Sequence, residues 1–279
     1  MPIYFPQINA SGLITQRPYQ AGLHFSTTTQ VLPGGSQQAW GWRGMGLSNF
    51  PDRHLGQWDL NYSAITDAEV AVLLAFFTEM RGRLGEFTYL DPSGNLIPAS
   101  EDFAAASWTK QTVSVGPEAA DPFGGNRARL MTGTGENSMM WCTILPDGGA
   151  GGYVLNVSLW AKATTEGQQL MLSFIDSGFS IISSVVLPVP QTWTRIDHCA
   201  TLASNSYVRV LIGGGGTWPG TGISMFGAQC VPMPGPGGYT RTPGNPGLHP
   251  KCRFDTDAFS PRYVGPNQIS LKLPIVEYF

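Results

Sequence analysis

Aromatic side chains are the main chemical resource of this chain, with Trp 8, Tyr 9 and Phe 14 against only 13% charged residues in 279. A pyranose offers C–H faces that stack on indole and phenyl rings, while its hydroxyls take hydrogen bonds from whatever lies beside them. Trp218 is the first candidate. Its neighbours, in Gly216-Thr217-Trp218-Pro219-Gly220, forbid a regular strand and favour an exposed loop. There the indole either meets a glycan or tucks over a sheet edge or against a neighbouring subunit. Trp141, in Met139-Met140-Trp141, and Phe179, in Ser177-Gly178-Phe179, are further candidates for glycan contact. Trp108, Trp160 and Trp193 fall in strand-like segments and are read as core.

The residues that usually carry catalysis do not assemble. His24, His54, His198 and His249 are far apart, and none has a metal-ligand or triad spacing. His249-Pro250-Lys251-Cys252 sets an imidazole near a thiol, beside a Pro/Gly-rich stretch. Asp255 and Asp257 could seat a cation or act as acid and base, but a turn in which one carboxylate caps backbone N–H groups is the simpler reading. The glycine run 213–216 lacks the lysine and following helix of a phosphate cradle. Cys142, Cys199, Cys230 and Cys252 form no CxxC pair and read as reduced, mostly buried residues. The expectation is no catalytic residue, no metal, no cofactor and no enzyme.

Net charge of −3 offers no basic footprint for nucleic acid. No apolar run approaches the ~18 residues of a membrane span, and Met1-Pro2-Ile3-Tyr4-Phe5-Pro6 lacks the pattern of a secretory leader. Neither nucleic-acid binding nor membrane insertion is expected.

One helix and many strands must position the aromatics. Thr66 with Glu69 forms a capping box, and Val70, Leu73, Leu74 and Phe77 recur at the spacing of one buried helix face. Arg81-Gly82 marks its end. Trp58, Leu60 and Tyr62 alternate along an early strand, and Ile269, Leu271, Leu273 and Ile275 alternate along a last one. Between composition breaks near 96–100 and 233–250, nine strand patterns at 112–115, 128–131, 139–143, 153–161, 169–174, 181–187, 192–200, 207–212 and 222–231 predict a sandwich or jelly roll. The fold class is therefore mainly β: a discontinuous N- and C-terminal β domain (1–97 and 246–279) with one amphipathic helix, plus an inserted β-sandwich (98–245). Gly 35 and Pro 22 suit so turn-rich a chain.

The segment 76–92, from Phe76-Phe77 through Arg81-Gly82 to Phe87-Thr88-Tyr89-Leu90-Asp91-Pro92, resembles the helix-to-strand signature of distal tail, or baseplate hub, proteins of long-tailed bacteriophages and gene-transfer particles. Arg253-Phe254-Asp255-Thr256-Asp257-Ala258-Phe259 and the strand after it are similar to the end of the same family. Within the insert, Ser100-Glu101-Asp102-Phe103 with Trp108, then Trp160-Ala161-Lys162, Trp193-Thr194-Arg195, Phe226 to Cys230 and Gly238 to Thr242 resemble the ordered landmarks of carbohydrate-binding-type jelly rolls in phage tail and fibre proteins. The resemblance implies a virion structural protein at the tail tip, assembled in the host cytoplasm. It implies self-association in a ring, six-fold in that family, and partners among tail tube, hub and fibre proteins. The insert would then meet host-surface polysaccharide or another tail protein. A surface-polysaccharide-degrading enzyme and a glycan-binding lectin module stand as alternatives.

Overall fold

The computed structural model describes residues 2–8, 19–24, 28–31, 37–40, 57–135, 137–148, 150–203, 207–214, 222–242 and 247–277. In chain order they form β1 (Tyr19–His24), β2 (Thr28–Val31), β3 (Gln37–Trp40), β4 (Gln57–Ile65), α1 (Asp67–Glu79), β5 (Phe87–Leu90) and β6 (Thr109–Gln111). Then follow β7 (Val113–Ala119), β8 (Ala128–Gly133), β9 (Met139–Leu145), β10 (Val154–Ala163), β11 (Gln169–Ile175) and β12 (Ile181–Pro188). The remainder are β13 (Thr194–Thr201), β14 (Val208–Gly214), β15 (Ile223–Val231), β16 (Leu248–Phe254), β17 (Arg262–Gly265) and β18 (Gln268–Glu277). The chain divides into two compact units, Met1–Thr15 with Tyr89–His249, and Gln16–Thr88 with Pro250–Phe279.

The smaller unit is built round a sheet in the order β1-β4-β18-β16-β5, with β17 paired to β18 and β2-β3 a separate pair. The alternation legible in β4 and β18 is realised: Trp58, Leu60 and Tyr62, and Ile269, Leu271, Leu273 and Ile275, are all buried. Antiparallel pairing sets Leu273 opposite Leu60 and Ile275 opposite Trp58. Thr66 caps α1 as its sequence predicts, its backbone N–H donating to Glu69 Oε2 at 2.8 Å while its side chain accepts from the Glu69 N–H. Val70, Leu73, Phe76 and Phe77 face the sheet, but Leu74 is 45% exposed. The buried arc is centred near Leu73, and one further residue turns the helix by about 100°, which carries Leu74 to the outside. The helix ends with Arg81 and Gly82 both in the left-handed region (φ 53 and 60). A Cβ on Gly82 would stand 2.8 Å from Asp257 Oδ1, so chain direction and close approach both call for glycine here. The Asp255/Asp257 pair serves this corner. Arg83 donates from Nη2 to the Asp255 carbonyl at 2.7 Å and from its backbone N–H to Asp257 Oδ1 at 3.2 Å.

The larger unit is a sandwich of two antiparallel sheets, β13-β10-β15-β8-β7 and β12-β11-β14-β9-β6. Its eight central strands alternate between sheets as β8-β15-β10-β13 and β9-β14-β11-β12, the two interleaved Greek keys of a jelly roll. All nine strands expected between 112 and 231 are present, with ends displaced by at most four residues; five of them, β7, β10, β13, β14 and β15, begin one or two residues later than expected, and short β6 is an addition. Leu155, Val157, Leu159 and Ala161 of β10 meet Leu170, Leu172 and Phe174 of β11 and Val210 and Ile212 of β14 in the core. Trp108 is buried as expected, its indole N–H donating to the Ala99 carbonyl at 2.9 Å. Cys142, Cys230 and Cys252 are buried and Cys199 is exposed, all as free thiols.

The beginning and end of the sandwich are clasped side by side. Ser100 and Thr242 exchange hydrogen bonds (3.2 and 2.9 Å). The buried Glu101 carboxylate is held between Arg127 (2.8 Å) and Arg241 (2.9 Å) and accepts from Tyr239 (3.1 Å). Two of the sequence landmarks, 100–103 and 238–242, therefore converge on a structural clasp.

Candidate saccharide-binding face

Trp218 lies outside the described residues. Trp141 and Phe179, set apart by 38 positions in sequence, are brought together: their ring centroids are 5.0 Å apart and nearly perpendicular (89°). Trp141 sits on β9, whose even-numbered residues Met140, Cys142 and Ile144 point into the core. Period-two alternation therefore turns Trp141 outward. Phe179 sits in the β11–β12 turn at φ 64, a left-handed conformation unusual for a bulky residue, and is 47% exposed. The turn is fixed by Asp176, whose Oδ1 accepts from the N–H groups of Gly178 and Ser180, both at 2.8 Å. A strained backbone therefore holds a phenyl ring at the surface, beside an indole.

The guanidinium of Arg209 on β14 lies 5.0 Å from the Phe179 ring centroid and 4.9 Å from that of Tyr207. Its Nη1 donates to the Ser177 carbonyl (3.3 Å), and the Tyr207 hydroxyl bonds Thr143 Oγ1 (2.5 Å). Register continues the outward side across the sheet, although Ser173 and Leu211 at its centre are buried. Ser184, Ser173, Leu211, Trp141 and Thr109 form one cross-strand row, with Ser173 donating to Ser184 at 2.9 Å. Val186, Met171, Gly213 and Met139 form the next row. The face is apolar, with hydroxyls at intervals and one cation. None of β6, β9, β11, β12 and β14 carries an Asp or a Glu, so these strands offer no carboxylate pair for acid and base work.

The opposite sheet corrects two expectations. Trp160 is not core: Leu159 and Ala161 take the inward positions on β10, leaving the indole half-buried on the outer surface. Trp193 is also half-buried, in the turn before β13. Trp160 lies beneath Arg195, 4.6 Å from its ring centroid, and is edged by Tyr239 (5.3 Å) and Phe123 (5.2 Å). Sequence reasoning did not single out Phe123, which is 62% exposed. The Asp121-Pro122-Phe123-Gly124-Gly125 turn was its signal. Asp121 accepts from the N–H groups of Phe123 (2.9 Å), Gly125 (3.0 Å) and Arg127 (3.3 Å). Burial by itself raises its pKa, but those donors and the Arg127 charge outweigh it and hold the carboxyl below the usual range. With Arg195, Tyr239 and Phe123 around it, Trp160 offers a ligand less open ring than Phe179 does.

Among the described residues no cluster of three His, Cys, Asp or Glu could hold a metal ion. His249 and Cys252 are three apart on β16 and so point to opposite faces of the strand.

No family model matches the sequence, and no curated protein matches it. Similar solved structures include the enzymatically active domain of tailspike protein 4 of bacteriophage CBA120, with TM-score 0.39 and 16% identity over 52% of this chain and 22% of that one. They also include the CBM22-1 xylan-binding domain from Paenibacillus barcinonensis, with TM-score 0.35 and 12% identity over 50% of this chain and 90% of that one. A third is the C-terminal family 22 carbohydrate binding module from Clostridium thermocellum, with TM-score 0.40 and 12% identity over 52% of this chain and 98% of that one. The chain thus spans only 22% of the length of that tailspike domain. At scores this low, nothing about binding or activity passes from these proteins to this chain.

Proposed function

We propose that this chain is a structural protein of a phage-type tail tip whose jelly roll binds host-surface saccharide on the face bearing Trp141 and Phe179. The observation that carries the binding half is the Phe179 turn, in which a bulky ring is held exposed at φ 64 against Trp141. Strain of this kind persists where the surroundings enforce it and often marks a binding surface. Binding is preferred to depolymerisation because the five strands of the face lack carboxylates.

The tail-tip half rests on the resemblance and on how its two blocks meet. Phe77 packs on Phe254 (4.8 Å) and Phe259 (5.6 Å), and Phe87 on Phe254 (5.1 Å). Arg83 joins the Asp255/Asp257 corner. In this reading the smaller unit forms a six-fold ring between tail tube and hub or fibre proteins, and the sandwich reaches the cell surface.

The test is binding of the full chain to purified host-surface polysaccharide. Phe179→Ala and Trp141→Ala should each weaken it on the order of ten-fold, roughly the 1.4 kcal/mol of one lost stacking contact. Equal affinity in both variants removes this face from the site. Capture of another tail protein, with no polysaccharide bound, would assign the face to assembly instead.

A further inference from the structure

The cation beside the aromatic pair narrows the class of saccharide. Arg209 is the one charged residue on β9, β11, β12 and β14; on β6, the fifth strand of the face, Lys110 is engaged by the Phe103, Ala104 and Ala105 carbonyls. Among the described residues its guanidinium has no carboxylate within ion-pair distance: the arginines that do are Arg83, Arg127, Arg129, Arg241 and Arg253. Asp176, the nearest acid along the chain to the Ser177 carbonyl that Arg209 contacts, spends its Oδ1 on two backbone N–H groups. Among the described residues only Nη1 of Arg209 has a hydrogen-bonding partner, at the long distance of 3.3 Å. The side chain is half-exposed and flanked on two sides by rings, which fixes its plane while leaving N–H donors for an incoming group.

From this arrangement we infer that the face selects a polysaccharide bearing carboxylates, of the uronic-acid kind, and that Arg209 determines that specificity. The inference rests on the saccharide-binding reading above. A uronic acid carries its carboxylate equatorially at the rim of the pyranose ring, so a ring stacked against an aromatic turns the carboxylate sideways to whatever borders that aromatic. Here the neighbour is a planar guanidinium, which meets a carboxylate through two parallel N–H donors. On a face whose other polar groups are hydroxyls, a neutral sugar would leave that charge without a partner. Discrimination between acidic and neutral sugars would then come largely from Arg209.

The full chain should be titrated with alginate, polygalacturonate and hyaluronan, each in native form and after chemical reduction of its carboxylates to primary alcohols. At least one native polymer should bind ten-fold or more tightly than its reduced form, and the difference should shrink as sodium chloride is raised. Arg209→Gln should bind both forms of that polymer equally, Arg209→Lys should keep part of the preference, and Phe179→Ala should weaken both forms together. Thermal midpoints close to wild type in these variants would show that folding is not the cause. Equal wild-type binding to native and reduced polymers, lost in Phe179→Ala, overturns the role of Arg209 and leaves saccharide binding standing. A preference for native polymer that survives in Arg209→Gln also overturns it. No binding to either form of any of the three polymers removes both the inference and the reading beneath it.

Discussion

Phe179 occupies backbone space that glycine fills at little cost and a phenylalanine fills at about 1–2 kcal/mol. Replacing it with glycine relieves that strain and removes a ring that is 47% exposed. Phe179→Gly should therefore leave the thermal midpoint unchanged or raised while saccharide binding falls, a pairing that calorimetry and titration on one sample can check. A fall in both would make the ring structural. The His198 imidazole is bonded to Ser183 Oγ at 2.9 Å and lies beside Phe174. Burial lowers its pKa below the ordinary value, with Asp197 opposing. The folded state thus prefers the neutral ring. Its contribution is whole above the unfolded value of about 6.5 and declines as pH falls below it toward the folded value, because the unfolded chain takes the proton first. His198→Gln should flatten the dependence of thermal midpoint on pH between about 7.5 and 5. An unchanged slope would mean that another group sets it.

At the scale of elements, capping and packing make opposite demands on the sequence, and that decides what could be read from it. Helix α1 was legible because its signals are local: Thr66→Ala breaks both halves of the capping box and should cost about 1 kcal/mol in urea unfolding. Gly82→Ala, which adds a Cβ 2.8 Å from Asp257 Oδ1 at a positive φ, should cost at least as much. Strands β4 and β18 were legible because only one of their faces is apolar. The inward face of β10 was not, because Leu159, Trp160 and Ala161 are consecutive apolar residues and alternation alone does not choose between registers. Trp108→Ala should cost roughly 3–5 kcal/mol as a core truncation, and Trp160→Ala distinctly less, since Trp160 is half-buried on the outer surface. The meeting of Trp141 with Phe179 and Arg209 depends on non-local pairing of β9, β14 and β11, which no local pattern announces. Trp218, the first candidate from sequence, falls outside the described residues and carries no part of the site as drawn.

On the scale of the whole molecule, the chain passes between its two units within β5 and β16, and the clasp from Ser100 and Glu101 to Tyr239, Arg241 and Thr242 ties the ends of the sandwich together. A fragment spanning 89–249 should therefore unfold in one cooperative transition, and loss of cooperativity would make the sandwich dependent on the rest of the chain. The tail-tip reading also requires the smaller unit to meet neighbours. Helix α1 shows Val72 and Leu74 on its outward side, where a free surface helix is ordinarily polar. The pair of changes Val72→Glu and Leu74→Glu should impair assembly into particles while leaving saccharide binding by the full chain intact. Hydrogen exchange of the full chain with and without host-surface polysaccharide locates the saccharide face. Added polysaccharide should slow exchange in 139–145, 173–180 and 207–214 and leave 121–127, 154–163 and 223–231 unchanged. Slowing confined to the latter segments, on the Trp160 side, would contradict this assignment of the face.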